Sequence, residues 1–183
     1  MTAEVLFDAQ PLLSRLEDAS LPLCKQLDIS FKNPGKELKF RPLEISDYQK
    51  GYIELLSQLT KVGVVTEDAF VKQFRAMKAS GVHYVFVVED MDKDLIVGNA
   101  TLAVEYKMTH STCLRGRIED VVVHNDYRGK HLGVLLVETL TILGKELGCY
   151  KISLDCTPDM IPYYKKFGFL EGPQVFMCQR FSD

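Results

Sequence analysis

The chain has 183 residues, 46% of them hydrophobic and 26% charged, which is the composition of a globular protein long enough to bury a core. Its 22 basic and 25 acidic side chains give a net charge of −3, which argues against a protein that binds nucleic acid over its whole surface. No apolar run approaches roughly 20 residues, so we expect no membrane insertion. No signal peptide is visible, which favours a cytoplasmic protein. The five cysteines lack Cys-x-x-Cys spacing, so we expect no metal site.

The N-terminal segment, residues 1–37, differs from the rest of the chain. It holds three of the seven prolines and ends in the turn signal Asn33-Pro34-Gly35. One short helix is predicted around residues 12–16. We therefore interpret residues 1–37 as a partly ordered leader and residues 38–183 as a single domain.

Three elements are predicted in the front half of the domain. Residues 38–43 alternate in polarity and predict a strand, near an edge because the strand contains a proline. Residues 46–49 fit a capping box, and the apolar spacing that follows predicts one helix to Leu59. Thr66 is the expected cap of a second helix, which Gly81 ends.

The apolar period then changes from helical to extended. Residues 84–88 and 95–106 predict an antiparallel hairpin joined by a turn at 91–94. Residues 107–114 are polar and predict a loop. Residues 116–123 predict a third strand that continues the meander.

The C-terminal third contains the strongest helix pattern, from Arg128 to Leu147, with leucines on one stripe and Gly148 at its end. A buried strand at 150–154 follows, so a strand–helix–strand unit with parallel pairing is expected. A short helix at 161–167 and a last strand at 176–181 complete an α/β (α+β) chain.

The segment from Val121 to Gly133 carries the chemical signal. A strand ends, a polar loop follows, and the predicted helix begins with Arg128-Gly129-Lys130. Helix N-termini expose N–H groups and a partial positive charge, and the basic side chains add to it, which favours a pyrophosphate. The segment is neither a Walker loop nor a Gly-x-Gly-x-x-Gly motif. A solvated basic helix start is the alternative.

This loop resembles the Arg/Gln-x-x-Gly-x-Gly/Ala loop of the GNAT superfamily of N-acetyltransferases, which holds the pyrophosphate of acetyl-CoA. His131 replaces the first motif glycine. Further segments resemble the glucosamine 6-phosphate N-acetyltransferase family, where a polar residue occupies that position. They are residues 59–65, 115–123, 149–152, 163–169 and 177–181, so the resemblance runs from about residue 38 to 181.

The resemblance implies a fold and an activity. The fold is the GNAT fold, a mixed and mostly antiparallel central sheet with a splayed βαβ core and helices on both faces. The activity is acetyl transfer from acetyl-CoA to the 2-amine of glucosamine 6-phosphate, in UDP-N-acetylglucosamine biosynthesis. The implied assembly is a homodimer with shared active sites, without a metal or a nucleic-acid partner.

The same resemblance implies two sets of binding residues. The residues expected to bind acetyl-CoA are Val121, Val122, Val123, Arg128, Gly129, Lys130, His131, Leu132, Gly133, Val134, Tyr164, Lys165 and Lys166. The residues expected to contact the amino sugar or its phosphate are Lys107, His110, Glu119, Asp120, Val121, Tyr150, Lys151, Asp155 and Arg180, the last serving the partner's site.

Two side chains are expected to take part in catalysis. Asp155 follows a strand and would orient the amine or accept its proton, directly or through water. Tyr164 would donate to the departing sulfur, and a backbone N–H near Val121 would polarise the thioester carbonyl. The alternatives are a turn cap for Asp155 and a core aromatic for Tyr164. At the level of function they are a GNAT enzyme for another small amine or polyamine, or a non-catalytic CoA-binding module.

Overall fold

In the computed structural model, residues 4–18, 21–173 and 175–181 are described. Their central sheet has five strands in the order β1-β2-β3-β4-β5. The first three neighbouring pairs are antiparallel, and β4 and β5 pair parallel. The strands are β1 Leu38–Pro42, β2 His83–Asp90, β3 Leu95–Tyr106, β4 Leu114–Val123 and β5 Cys149–Ser153.

Helices cover both faces of this sheet. They are α1 Gln10–Asp18, α2 Pro22–Gln26, α3 Tyr52–Ser57, α4 Glu67–Ser80, a single turn α5 Thr109–Thr112, α6 Leu132–Glu146 and α7 Ile161–Lys165. Three 3-10 turns lie at Ile45–Lys50, Asn125–Tyr127 and Pro158–Met160.

Alternation along β2 separates two cores. Phe86 and Val88 face the cluster formed with α1, α2 and α6. Val85 and Val87 face the cluster formed with α3 and α4. All four side chains are fully buried, so the middle strands are covered on both sides. The expected fold, with helices on both faces of a mixed sheet, is confirmed.

The N-terminal segment packs against the domain. Leu16 of α1 and Cys24 of α2 are buried in the α6 core. The backbone N–H groups of Leu23 and Cys24 donate to the buried carboxylate of Glu138 at 2.9 and 2.7 Å. Residues 4–18 and 21–37, interpreted above as a leader, therefore supply core side chains, and the helix predicted at 12–16 lies within α1.

Several predicted elements are confirmed. The hairpin of β2 and β3 has its turn where expected, and β4 continues the meander. Thr66 caps α4 by accepting a hydrogen bond from the N–H of Ala69, and Gly81 ends that helix with φ of +66°. The parallel β4–α6–β5 unit is also present.

The single helix predicted from the capping box to Leu59 is wrong. A 3-10 turn and α3 occupy the segment instead, separated by Gly51 in the left-handed conformation. The capping box is formed by Glu44 and Asp47, two residues earlier than predicted. Leu59 is 45% exposed because α3 ends at Ser57, before the apolar stripe reaches it.

Two predictions about the C-terminal third are also wrong. The strand predicted at 150–154 as buried is an exposed edge, with Tyr150 37% exposed, because no strand within the described ranges lies on its outer side. The strand predicted at 176–181 is absent from the sheet, and the described residues there are irregular and exposed. An extended segment without a pairing partner cannot form a ladder.

Candidate active site

The site opens where β4 and β5 separate. Their parallel pairing ends with Arg117 opposite Ser153. Beyond that point β4 continues along β3 as far as Val123, whereas β5 has ended. The outer edge of β4 from Ile118 onward is therefore unpaired by any strand of the described chain, and its backbone is available to a ligand.

A β-bulge interrupts β4 beside this gap. Thr101 of β3 lies opposite Glu119, but Asn99 lies opposite Val122, so β4 has one extra residue here. Asp120 has a φ of +52°, a left-handed conformation that few residues other than Gly, Asn and Asp adopt. The bulge thus accompanies the splayed β4–β5 core that the resemblance implies.

Arg117 joins the two strands at the mouth of the gap. Its Nε donates to Glu119 Oε1 at 2.6 Å, and its Nη2 donates to Asp155 Oδ2. Burial opposes the guanidinium charge, but the hydrogen bonds to Glu119 and Asp155 outweigh it and raise the pKa of Arg117. Asp155 therefore enters the site as one partner of an ion pair.

Asp120 sits on the bulge with its carboxyl partly surrounded by protein. Desolvation is the main cause that raises the pKa of Asp120, and the negative charge of Glu119 raises it further. The strand end thus presents two acids with different surroundings, since Glu119 is held by Arg117.

Tyr164 projects from α7 and is buried. Desolvation raises its pKa, and the nearby Cys156 adds to the effect. The phenol therefore keeps its proton well above neutral pH, which is the state needed for a hydrogen-bond donor or acid. Cys156 shares the cavity, and burial followed by the charge of Asp155 raises its pKa, which disfavours a thiolate nucleophile.

Tyr163, the neighbour of Tyr164, packs against the start of α6. Its ring meets Phe167 edge-on at 5.2 Å between centroids. A Cβ added to Gly133 would lie 2.8 Å from Tyr163 Oη, which is closer than real contacts allow. A larger residue at position 133 would therefore have to displace the Tyr163 hydroxyl.

The predicted helix start at Arg128 is wrong, because α6 begins at Leu132. Gly129 and His131 have φ values of +79° and +62°, which an α-helix cannot contain. Residues 128–131 instead form a loop that leads into the N-terminus of α6. Nothing lies within 4 Å of a Cβ placed on Gly129, so the loop backbone is open to a ligand.

A buried tyrosine supports this loop. Tyr127 Oη donates to Asp90 Oδ2, and it accepts a hydrogen bond from Lys93 Nζ at 2.8 Å. Lys130 Nζ lies 4.6 Å from the centre of the same ring. With Arg128, these lysines place three cations around the end of α6 that carries a partial positive charge.

The remaining acetyl-CoA candidates differ in burial. Val122 and Leu132 are buried, whereas Val121, Val123 and Val134 are partly buried. Lys165 Nζ contacts Glu171 at 2.7 Å, and Lys166 is exposed on the surface after α7.

The phosphate candidates are only partly brought together. The rings of His110 and Tyr150 stack with centroids 4.2 Å apart, and Lys151 Nζ lies 5.5 Å from the Tyr150 centre. Lys107 is ion-paired with Glu105. Arg180 lies in the exposed segment 175–181, outside every helix and strand.

A cavity of about 970 Å³ connects the catalytic candidates. It extends from the mouth of the gap along β5 and α7 to residues 175 and 176. Its lining includes Arg117, Lys151, Asp155 and Tyr164. The structure thus places both predicted catalytic side chains on one cavity, together with an arginine that the sequence did not single out for catalysis.

The described ranges contain neither a metal-site grouping nor a membrane-spanning helix. No three His, Cys, Asp or Glu side chains there are grouped as a metal site. No helix in these ranges is long and apolar enough to cross a membrane.

Comparison with known proteins agrees with this geometry. The model of the family described as "Acetyltransferase (GNAT) family" matches residues 49–169, which contain the bulge, the loop and α7. The fold and the site therefore define an acetyl-CoA-dependent N-acetyltransferase.

Individual relatives indicate which group of acetyltransferases the chain resembles. The chain is 45% identical over 174 residues to the "Probable glucosamine 6-phosphate N-acetyltransferase" of Drosophila melanogaster, covering 94% of this chain and 80% of the relative. It is 41% identical to the Arabidopsis thaliana enzyme of the corresponding name, covering 81% and 99%. The crystal structure of the Arabidopsis thaliana enzyme superposes with a TM-score of 0.75 at 38% identity, over 79% of this chain and 99% of that one. The chain belongs to the GNAT family of acetyltransferases and, within it, to the glucosamine 6-phosphate N-acetyltransferases.

Proposed function

We propose that the protein transfers the acetyl group of acetyl-CoA to the 2-amine of glucosamine 6-phosphate, giving N-acetylglucosamine 6-phosphate and CoA for UDP-N-acetylglucosamine biosynthesis. The observation that carries this proposal is the convergence of the bulge, the Arg117–Asp155 ion pair and Tyr164 at the β4–β5 gap. Relatives that carry the name of this activity share most of the chain.

Both substrates bind before reaction, in a ternary complex. The free amine attacks the thioester carbonyl carbon, so a C–N bond forms and charge develops on the carbonyl oxygen. The N–H of Val121 at the bulge stabilises that charge. The C–S bond then breaks, and Tyr164 protonates the departing thiolate. The amine proton leaves to Asp155 or to water.

Asp155 needs only modest basicity for this role. A sugar amine titrates at or below the value of a peptide α-amino group, about pH 8, so a fair fraction is already neutral. Arg117 contacts Oδ2 of Asp155, which leaves Oδ1 to receive the amine hydrogen. The main contribution of the pair is therefore positioning.

Acetyl-CoA is proposed to place its pyrophosphate on residues 128–133. The open backbone at Gly129, the N-terminus of α6 and the cations of Arg128 and Lys130 match its charge. His131, Gly133 and Val134 would contribute backbone groups of the first turn.

The sugar phosphate is proposed to bind near the stacked rings of His110 and Tyr150, where Lys151 lies. Lys107 would join this set by exchanging Glu105 for the phosphate. A phosphate surrounded by cations forms charge-assisted hydrogen bonds, which are stronger than neutral ones.

We further propose a homodimer. No strand of the described chain pairs with the outer edge of β5, and the segment after the cavity exposes Val175, Phe176, Met177 and Phe181 by 69 to 90%. An open strand edge and a concentrated apolar segment are features of interfaces. In the dimer, Arg180 would reach the partner's phosphate site.

Light scattering after size-exclusion chromatography tests this assembly. A Phe176→Asp variant is expected to shift the mass toward the monomer and to lower turnover, because both active sites lose a partner residue. Lys72→Asp, an exposed position on α4, is the control. A wild-type protein that stays monomeric at all concentrations would exclude the proposed homodimer.

A cytoplasmic location is part of the proposal. All five cysteines are free thiols, as expected in a reducing compartment. Cell fractionation tests this, and recovery of the protein from the secreted fraction would contradict it.

The acceptor is tested by following CoA release from acetyl-CoA with glucosamine 6-phosphate, glucosamine and spermidine, each at the same concentration. Turnover is expected with the sugar phosphate and not with spermidine. Turnover with spermidine alone would retain the acetyl-CoA site and overturn the sugar assignment. Binding of acetyl-CoA without turnover on any acceptor would support a non-catalytic CoA-binding module.

A further inference from the structure

We infer that Asn99 is a positioning residue that aims the N–H of Val121 at the acetyl thioester. Asn99 lies on β3 and is fully buried, so it touches neither substrate. The inference deepens the proposed function, since it concerns the group that stabilises the carbonyl oxygen.

The side chain of Asn99 holds the bulge directly. Its Nδ2 donates to the carbonyl oxygen of Asp120 at 2.8 Å. β4 has one extra residue opposite Asn99 and Thr101, so the regular hydrogen bonding between β3 and β4 is interrupted at the Asp120 carbonyl. The amide of Asn99 therefore replaces a backbone donor.

Planarity of the peptide bond carries this contact to the site. The carbonyl of Asp120 and the N–H of Val121 belong to one trans peptide, so they point in opposite directions. A hydrogen bond that draws the carbonyl toward β3 aims the N–H away from β3. That is the side on which β5 has separated from β4 and the gap opens.

The amide oxygen of Asn99, Oδ1, indicates that this residue has a role beyond stabilising the fold. Asn99 Oδ1 is buried and has no hydrogen-bond partner within the described chain. An unpaired buried acceptor is costly, and an apolar side chain would avoid that cost. Only the donor at Nδ2 justifies an asparagine here.

The surroundings strengthen the contact. Asn99 is fully buried, so its hydrogen bond to the Asp120 carbonyl lies in the protein interior, where the dielectric constant is low. A hydrogen bond in such a medium is stronger than in water, and it polarises the peptide it joins. The donor strength of the Val121 N–H rises accordingly.

Asn99→Leu tests the role by kinetics. The variant removes the donor while keeping the number of side-chain heavy atoms, so kcat is expected to fall about 10²-fold, as for loss of one oxyanion donor. The KM for acetyl-CoA should stay near the wild-type value. Thr139→Val is the matched control, because Thr139 Oγ1 is also buried and unpaired but lies on α6. It should leave kcat unchanged.

Infrared spectroscopy of bound acetyl-CoA with an isotope-labelled carbonyl gives a readout that a structural role would not move. The wild type is expected to lower the carbonyl stretching frequency relative to free acetyl-CoA, and Asn99→Leu to return it toward the free value. No acceptor is present, so this result is independent of the sugar assignment.

Asn99→Ala provides a second variant if Asn99→Leu does not fold. Water can enter the smaller side chain's place, so a smaller loss of kcat and a partial frequency change are expected. An unchanged carbonyl frequency and unchanged kcat in a folded Asn99 variant would overturn the inference.

Discussion

Arg117 Nη2 donates to Asp155 Oδ2 across the point where β4 and β5 part, although the two residues are 38 positions apart in the chain. The contact lies where the gap begins and holds the Asp155 carboxylate there. Arg117 also holds Glu119, so one guanidinium organises both acids that border the site.

Removal of the Arg117 guanidinium should change the kinetic parameters for the amine acceptor more than those for acetyl-CoA. Arg117→Met is expected to lower kcat/KM for glucosamine 6-phosphate by about 10- to 100-fold, because a misplaced Asp155 no longer orients the amine. The KM for acetyl-CoA should change little. Steady-state kinetics with each substrate varied in turn measures both effects, with Arg75→Met on α4 as the control. A rise confined to the KM for acetyl-CoA would contradict this role.

Tyr164→Phe should lower turnover by about 10²-fold, the contribution expected of a positioned acid, while acetyl-CoA affinity measured by calorimetry stays unchanged. Tyr163→Phe keeps the neighbouring ring and is the comparison variant. Because the pKa of Tyr164 is raised by burial, wild-type turnover should not decline through ionisation of this phenol until pH exceeds the ordinary tyrosine value, about 10. Equal turnover of both variants would remove the acid role.

Gly133→Ala should destabilise the protein despite the higher helix propensity of alanine. The added Cβ would meet Tyr163 Oη, and overpacking of this kind costs about 1–3 kcal/mol. The second substitution Tyr163→Phe removes the clashing oxygen and should restore part of the free energy of unfolding. Denaturant unfolding of the four proteins of the cycle gives the coupling. Additive effects would show that the two residues do not meet.

The buried ion-pair network around Glu89 should make stability depend on pH. Burial opposes its charge, but hydrogen bonds from Lys50 and Arg41 outweigh it and lower the pKa of Glu89. Since the folded value lies below the unfolded value of about 4.3, the stabilisation is complete above that pH and is lost as pH falls through the folded pKa.

Glu89→Gln measures that contribution. At pH 7 it should lower the free energy of unfolding by about 3–5 kcal/mol, the cost of breaking a buried pair. The difference from wild type should shrink as pH falls below 4.3. Urea unfolding between pH 7 and pH 3 provides the comparison, with the exposed Glu146→Gln as the control. If the difference in the free energy of unfolding between wild type and Glu89→Gln did not depend on pH, the loss of stability would be due to packing and not to charge.

Local patterns in the sequence predict much of the fold. The β2–β3 hairpin, the cap at Thr66 and the leucine stripe of α6 follow from residues that are neighbours in the chain. The errors come from conformations that these patterns do not report. Gly51 and His131 adopt left-handed φ values, and each moves a helix start that the apolar spacing had placed earlier.

Site residues that belong to a sequence motif could be predicted. Contacts that depend on the register between strands could not. Asp155, Tyr164 and residues 128–133 stand in recognisable segments, and the structure brings the first two onto one cavity. The contacts from Arg117 to Asp155 and from Asn99 to Asp120 depend on where pairing ends and where β4 carries an extra residue. No single segment of the sequence encodes either fact.

The carboxylate of Glu138 has a consequence for how the protein can be shortened. It sits in the middle of α6 and accepts hydrogen bonds from the two N–H groups at the start of α2. A chain cut back to Leu38 would leave the Glu138 carboxylate without these two donors. Because a buried carboxylate without hydrogen-bond donors is costly, removal of the N-terminal segment is expected to destabilise α6.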